Sequence, residues 1–227
     1  MPRRPTISLI MCVLILPFLA TGCQTYETTM PTTMSAQVRD GDSWSSTFDP
    51  PTTLVTSRVR FEPLGPEHAQ RDYDAFMRSR EHLQDALGWG DWPREDMTVE
   101  ENRRDLQRHA DEFERREAYA YAVLTRDASR ELGCVYLNPA SRTSEQGVNL
   151  RHARLAYWVI EGEERKELDT HIVESMLQWI RMSFPIDEVR MSVRLDHFRG
   201  REVMDDLGLP EVRSNDPMLR TYIWRRR

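Results

Sequence analysis

From Arg58 onward, apolar and polar positions fall into repeating patterns that mark out short elements. Arg58-Val59-Arg60-Phe61-Glu62 alternates, the signature of a half-buried strand. Pro66 then stands where a helix's first turn tolerates it, and Ala69, Tyr73, Phe76 and Met77 return to one face at helical spacing. Thr98 and Glu101 are spaced as a capping box, ahead of a charged helix with the apolar seam Val99, Leu106, Ala110 and Phe113. Between these helices lies the loop Gly88-Trp89-Gly90-Asp91-Trp92-Pro93, whose two tryptophans are placed to wall a pocket. Two strands, Ala118 to Leu124 and Leu132 to Asn138, flank the polar turn Arg126-Asp127-Ala128-Ser129-Arg130 and read as a hairpin. After a polar loop, Ser141 to Arg151, a further strand runs from Ala153 to Ile160. Ile172, Val173, Met176, Leu177 and Ile180 mark an amphipathic helix ending near Phe184-Pro185. Val189, Met191 and Val193 alternate with Arg190, Ser192 and Arg194 in a strand, and a helix from about Phe198 to Leu207 stops at Gly208. Leu219 to Trp224 closes the chain as a last strand. The predicted order is β-α-α-β-β-β-α-β-α-β, an α/β (α+β) domain over 57–227.

Upstream the pattern is different. Met1-Pro2-Arg3-Arg4 precedes an apolar run from Ile7 to Ala20, then Thr21-Gly22-Cys23. A charged start, a short apolar run and small residues have the layout of a secretory signal peptide. The run is 14 residues long, short of the roughly 20 that a membrane-spanning helix needs. Ala20-Thr21-Gly22-Cys23 also resembles the lipobox of bacterial lipoproteins. That resemblance implies removal of 1–22 and a lipidated Cys23 whose several acyl chains anchor the protein stably at a membrane. If translation starts instead at Met30 or Met34, the protein is cytoplasmic. The segment 23–56 is rich in Thr, Ser, Asp and Pro and buries too little to offset its ordering entropy, so it reads as a disordered tether; Trp44 and Phe48 are exposed by default, with docking on the domain as the alternative.

Composition narrows the chemistry. Lys+Arg number 31 against Asp+Glu 37, a net charge of -6, and the single basic block is Arg225-Arg226-Arg227; a nucleic-acid partner is not expected. Of the three cysteines, Cys12 lies in the signal and Cys23 at the lipid site. Cys134 therefore has no internal disulfide partner and reads as a small core residue. The six histidines are scattered without metal-ligand spacing, so no metal is expected.

The element order, and several strings within it, resemble the GCN5-related N-acetyltransferase (GNAT) family, on the branch that acts on ribosomal proteins and small amines. Phe61-Glu62-Pro63-Leu64-Gly65-Pro66-Glu67-His68 resembles that family's opening strand and helix start. Glu131-Leu132-Gly133-Cys134-Val135-Tyr136 resembles its central strand, and Ala156-Tyr157-Trp158-Val159 the strand beside the cofactor. His197 to Leu209 resembles the helix after the fifth strand. The resemblance implies a mixed, mostly antiparallel sheet in which Ala153 to Ile160 and Glu188 to Arg194 run parallel and splay apart. It implies acetyl-CoA as co-substrate, with the pantetheine arm in the gap near Val159 and Ile160. The pyrophosphate would lie on backbone N–H groups at Arg165, Lys166, Glu167 and Leu168, and His197 near the cofactor. The acceptor is a small-molecule or peptide amine, received by Trp89, Trp92 and Tyr157; Tyr136 and Trp158 are expected in the core. Glu161 and Glu163 are the candidate general bases.

The chain departs from the family at the phosphate loop. Glu164-Arg165-Lys166-Glu167-Leu168-Asp169 carries acids where the family has Gln or Arg, Gly, and Gly or Ala. At about 5 Å and an effective dielectric near 20, each carboxylate would repel a phosphate charge by roughly 3 kcal/mol. The same acids also suit the positive end of a helix without any ligand. His197 and Gly200 replace the family's Asn and Ser, and the helix after them has no tyrosine to protonate the departing thiolate. Two functions follow: an exported, lipid-anchored N-acetyltransferase, or a non-catalytic GNAT-fold binding module at the membrane.

Overall fold

Packing begins inside the stretch expected to be a tether. The Phe48 ring lies 5.6 Å from that of Phe184 and 6.3 Å from that of Tyr119. Arg116 Nε donates to the Phe48 carbonyl at 2.8 Å, and the Tyr121 hydroxyl donates to that of Pro51 at 2.9 Å. An aromatic ring with a core face in reach packs half-buried against it despite its polar neighbours, so Phe48 docks on the domain and the default of an exposed ring is corrected. The structure, a computed structural model, describes residues 48–140, 143, 144, 147, 148, 151–162 and 165–227. The signal-like segment, Cys23, Trp44, Glu163 and Glu164 lie outside the described residues.

Strand β1 (Leu54–Val55) pairs antiparallel with β2 (Val59–Pro63). Where two helices were expected there are three: α1 (Ala69–Arg78), α2 (Arg80–Leu87) and α3 (Val99–Glu114). The break between the first two falls at buried Ser79, whose Oγ accepts from the Glu161 backbone N–H at 2.9 Å. That bond ties the end of a distant strand to the helix junction, which local periodicity cannot show. The capping box forms as expected: Thr98 Oγ1 accepts from Glu101 N at 3.1 Å and Glu101 Oε2 accepts from Thr98 N at 2.8 Å. Such caps stabilise a helix by about 1 kcal/mol.

The remaining elements are β3 (Tyr119–Thr125), β4 (Glu131–Pro139), the small pair β5 (Thr143–Ser144) and β6 (Gly147–Val148), β7 (His152–Val159), α4 (Arg165–Ser183), β8 (Glu188–Arg194), α5 (Phe198–Asp206), β9 (Glu211–Val212) and β10 (Leu219–Arg225). Eight strands form one sheet in the order β1-β2-β3-β4-β7-β8-β10-β9, antiparallel throughout except where β7 meets β8. Alternation along the strands divides the interior in two. Leu155, Met191, Val193 and Tyr222 join Ile172, Met176 and Val203 of α4 and α5 on one face. Ala122, Cys134 and Trp158 join Phe76 and Leu106 of α1 and α3 on the other. Trp158 and Cys134 are buried, as expected. At Gly133 the strands come so close that a Cβ would stand 2.0 Å from the Trp158 carbonyl oxygen, with φ at +156°. The Leu132-Gly133 pair is there for that approach.

Candidate active site

Two parallel strands that begin side by side separate. β7 and β8 share three rungs, His152–Glu188, Ala153–Val189 and Arg154–Arg190, and none beyond. From Leu155 and Met191 onward they diverge, and a cleft of about 500 Å³ opens between them. One wall is apolar, with Leu155, Val159, Met191, Val193 and Met204 from the α4–α5 side. The other is polar, with Asn138, Arg154, Arg190, Ser192 and Arg194. His82 of α2 and His197, which precedes α5, also line it, their rings 6.5 Å apart.

The first turns of α4 and α5 meet across the open end of this wedge. Asp169, 3 % exposed, accepts from Arg199 Nη2 at 2.7 Å and from Arg199 Nε at 3.1 Å. Arg199 Nη2 also reaches Thr170 Oγ1 at 3.2 Å.

The model of the acetyltransferase (GNAT) domain family matches residues 58–210, about two thirds of the chain. The chain belongs to the GNAT acetyltransferase family. The fold agrees with solved structures. The ribosomal-protein-S5-alanine acetyltransferase of Vibrio fischeri is 13% identical, covers 77% of this chain and 97% of its own, and has a TM-score of 0.63. RimL, the ribosomal L7/L12 alpha-N-protein acetyltransferase solved with coenzyme A, gives 15%, 76%, 97% and 0.63. The microcin C7 self-immunity acetyltransferase MccE, solved with acetyl-CoA and AMP, gives 11%, 80%, 99% and 0.63. No curated protein matches the chain.

Within this GNAT domain the two described acids of the phosphate loop each have a cationic partner. Asp169 is turned inward onto Arg199, and Glu167, 80 % exposed, reaches Arg58 at 3.2 Å. Neither carboxylate is left bare over the first turn of α4, where a phosphate is favoured. Leu168 is buried in the core, so only its backbone can serve a ligand; of Arg165 and Lys166 the backbone alone is described. Gly200 replaces a larger residue for lack of room: a Cβ would stand 2.6 Å from His197 Nδ1 and 2.8 Å from Val193 Cγ1.

The cleft gathers some of the expected residues and leaves others out. Trp89, Tyr157, Val159 and His197 line it. Trp92 does not: it is 4 % exposed, its ring 5.3 Å from Phe76 and 6.2 Å from Trp158, so its pocket role is corrected to core packing. Half-buried Tyr136 accepts from Trp158 Nε1 at 3.2 Å. The Ile160 N–H donates to the Leu132 carbonyl at 2.9 Å and is not open to a ligand. Glu161 is exposed and lies outside the cleft lining. His82, Asn138, Arg154 and Arg190 were missed, because only the parallel pairing of β7 with β8 brings them together.

The same face of the sheet holds a second cluster, sealed under α1 and α3. Cys134 Sγ lies 3.3 Å from Asp72 Oδ1 and 3.4 Å from Glu131 Oε1, and Asn102 Nδ2 donates to Asp72 Oδ2 at 2.8 Å. Asp72, Glu131 and Cys134 each bring a ligand-type atom within 4.8 Å of the others. Burial raises the Asp72 carboxyl and pushes Glu131 well above the usual range, with the Asp72 charge adding to the second. It also pushes the Cys134 thiol up. Two carboxyl groups this close, away from water, share a proton.

Proposed function

We propose that the protein transfers an acetyl group from acetyl-CoA to a primary amine in the cleft between β7 and β8. The observation that carries this reading is the three-rung pairing followed by divergence, in a chain of the GNAT family. Divergence leaves main-chain donors and acceptors of Leu155 to Val159 without a β8 partner, and an extended amide-bearing arm satisfies them as a neighbouring strand would. The amine nitrogen attacks the thioester carbonyl carbon, the C–N bond forms as the C–S bond breaks, and coenzyme A leaves as thiol. The proton lost by the amine passes to an imidazole in the cleft, His82 or His197, the side-chain type that titrates nearest neutrality, and is then released to the departing thiolate, which restores the neutral imidazole. That moves the base from Glu161, which stands outside.

The pairing of Asp169 with Arg199 and of Glu167 with Arg58 supports a working phosphate site and weighs against a non-catalytic module. Isothermal titration with acetyl-CoA tests the reading: saturable heat is expected, and no heat at millimolar cofactor would overturn it. Export and lipid anchoring are proposed from the N-terminal pattern. Mass spectrometry of the mature protein checks them: an acylated Cys23 is expected, and a start at Met30 or Met34 would place the domain in the cytoplasm.

A further inference from the structure

The basic block Arg225-Arg226-Arg227 does not hang free in solvent; it builds one end of the molecule. Strand β7 begins at His152 and β8 at Glu188, and β10 ends where Arg225 faces Glu188, so these strand ends lie together. Helix α4 finishes beside them, at Ser183. Half-buried Arg226 fixes the corner. Its Nη2 donates to the Ile180 carbonyl at 3.0 Å and its Nε to that of Ile186 at 3.0 Å, and further N–H groups reach the carbonyls of Arg181 and Phe184. A guanidinium there satisfies the carbonyls that a helix leaves open at its C-terminus.

Around this cap the surface is cationic. Arg151, Arg181, Arg225 and Arg227 are exposed. Asp187 accepts from Arg151 at 2.6 Å and lies 3.6 Å from Arg226, while Glu188 is shared by Arg190 and Arg225. Two carboxylates thus serve four guanidinium groups, and Arg181 and Arg227 pair with no acidic side chain among the described residues. Asp49, next to Phe48, is matched by Arg116 at 3.7 Å. Even with a carboxylate on Arg227 counted, positive charge is in excess here, on a chain of net charge -6. Among these arginines Met182, in the last turn of α4, is 73 % exposed.

The chain from Cys23 enters the fold at the same corner, because Phe48 packs on Phe184 just past the capped helix end. Between Cys23 and Phe48 it can span at most about 90 Å. A segment of that length holds an anchored domain near the membrane at an effective concentration on the order of millimolar, so a weak contact is enough.

We propose that this end of the domain rests on an anionic membrane surface, with Arg151, Arg181, Arg225 and Arg227 on lipid phosphates and Met182 among the headgroups. Guanidinium forks match phosphate, and each basic side chain at an anionic surface strengthens binding by about fivefold. The contact turns the other end outward: β7 and β8 diverge away from it, so the cleft opens toward water. The inference takes its membrane from the proposed anchoring at Cys23, whereas the surface itself lies within the described domain.

The mature protein with Ser183→Cys, labelled there with a fluorophore, tests this; Cys134 is buried, which leaves the label to one site. Quenching by aqueous acrylamide is measured on vesicles of phosphatidylcholine and on vesicles of equal parts phosphatidylcholine and phosphatidylglycerol. It should fall severalfold on the anionic vesicles alone, and high salt should restore it. A label at Arg126→Cys, in the β3–β4 turn at the opposite end of the sheet, should stay open to quencher on both. Arg181→Gln/Arg227→Gln, which gives up no acidic partner, should weaken the contact by about 30-fold and return quenching toward its level on neutral vesicles. Equal quenching at residue 183 on both kinds of vesicle would overturn the proposal, as would protection that survives the double variant. A mature protein that starts at Met30 or Met34 would remove the anchor, yet millimolar anionic lipid should still protect the label. Absence of protection in that form would overturn the docking surface as well.

Discussion

Two clusters of like charge sit on the same face of one sheet, and they meet the same repulsion differently. Asp72 and Glu131 lie sealed beneath α1 and α3; Arg154 and Arg190 lie where those helices no longer cover the sheet. The acids have no route to a counter-ion, so they keep a proton and use Asn102 and Cys134 as neutral donors. An arginine cannot shed its proton, so on the open floor Arg190 stays charged and shares Glu188 with Arg225. Access to water, more than the sign of the charge, separates the two clusters.

The sealed cluster should break first and most heavily. Asp72→Ala removes one acceptor of buried Asn102 Nδ2, which keeps the Ala69 carbonyl, and one of the Cys134 thiol, which keeps Glu131; it also leaves a buried cavity, and a lost buried hydrogen bond costs about 1–3 kcal/mol. Urea unfolding is expected to show a loss of about 2–4 kcal/mol. A milder change sharpens the same point. Since the folded pair holds a proton that the unfolded chain releases near pH 4, its contribution to stability falls as pH rises from there toward the raised folded value. Asp105 on α3 adds to the repulsion at Asp72, whereas Arg71 on α1 opposes it at Glu131. Glu131→Gln keeps an N–H donor and cannot ionise. Between pH 5 and 8, melting curves should therefore show the variant gaining on the wild type as pH rises; parallel curves would show that no shared proton exists. The open cluster should give the smallest effect. Arg190→Gln removes one of the two guanidinium groups that share Glu188 while Arg225 keeps its contact, so urea unfolding should change by no more than about 1 kcal/mol; a larger loss would show that Arg225 alone does not hold the buried carboxylate.

The strands and the long helices were readable from the sequence because each buries one face, and alternation or helical spacing records that directly. Val189, Met191 and Val193 predicted β8, and Ile172 to Ile180 predicted α4, since local pattern and burial agree there. What could not be read depends on partners distant along the chain. The break at Ser79 answers a backbone N–H at Glu161, and Phe48 finds its place against Phe184. Alternation marked Arg190, Ser192 and Arg194 only as the polar positions of a strand; pairing with β7 across an intervening helix makes that side the wall of a cleft. The sign of Asp169 could be read from the sequence but not its direction, and a carboxylate's effect on a phosphate depends on where it points. Here it points at Arg199.

That last contact also has a mechanical side. α4 follows β7 and α5 follows β8, so the Asp169–Arg199 pair joins the two arms of the wedge near their free ends, as a tie-bar joins the legs of a trestle. Swinging the arms wider would stretch it, so the pair braces the slot at its rim. A braced slot favours a thin, extended chain over a bulky one.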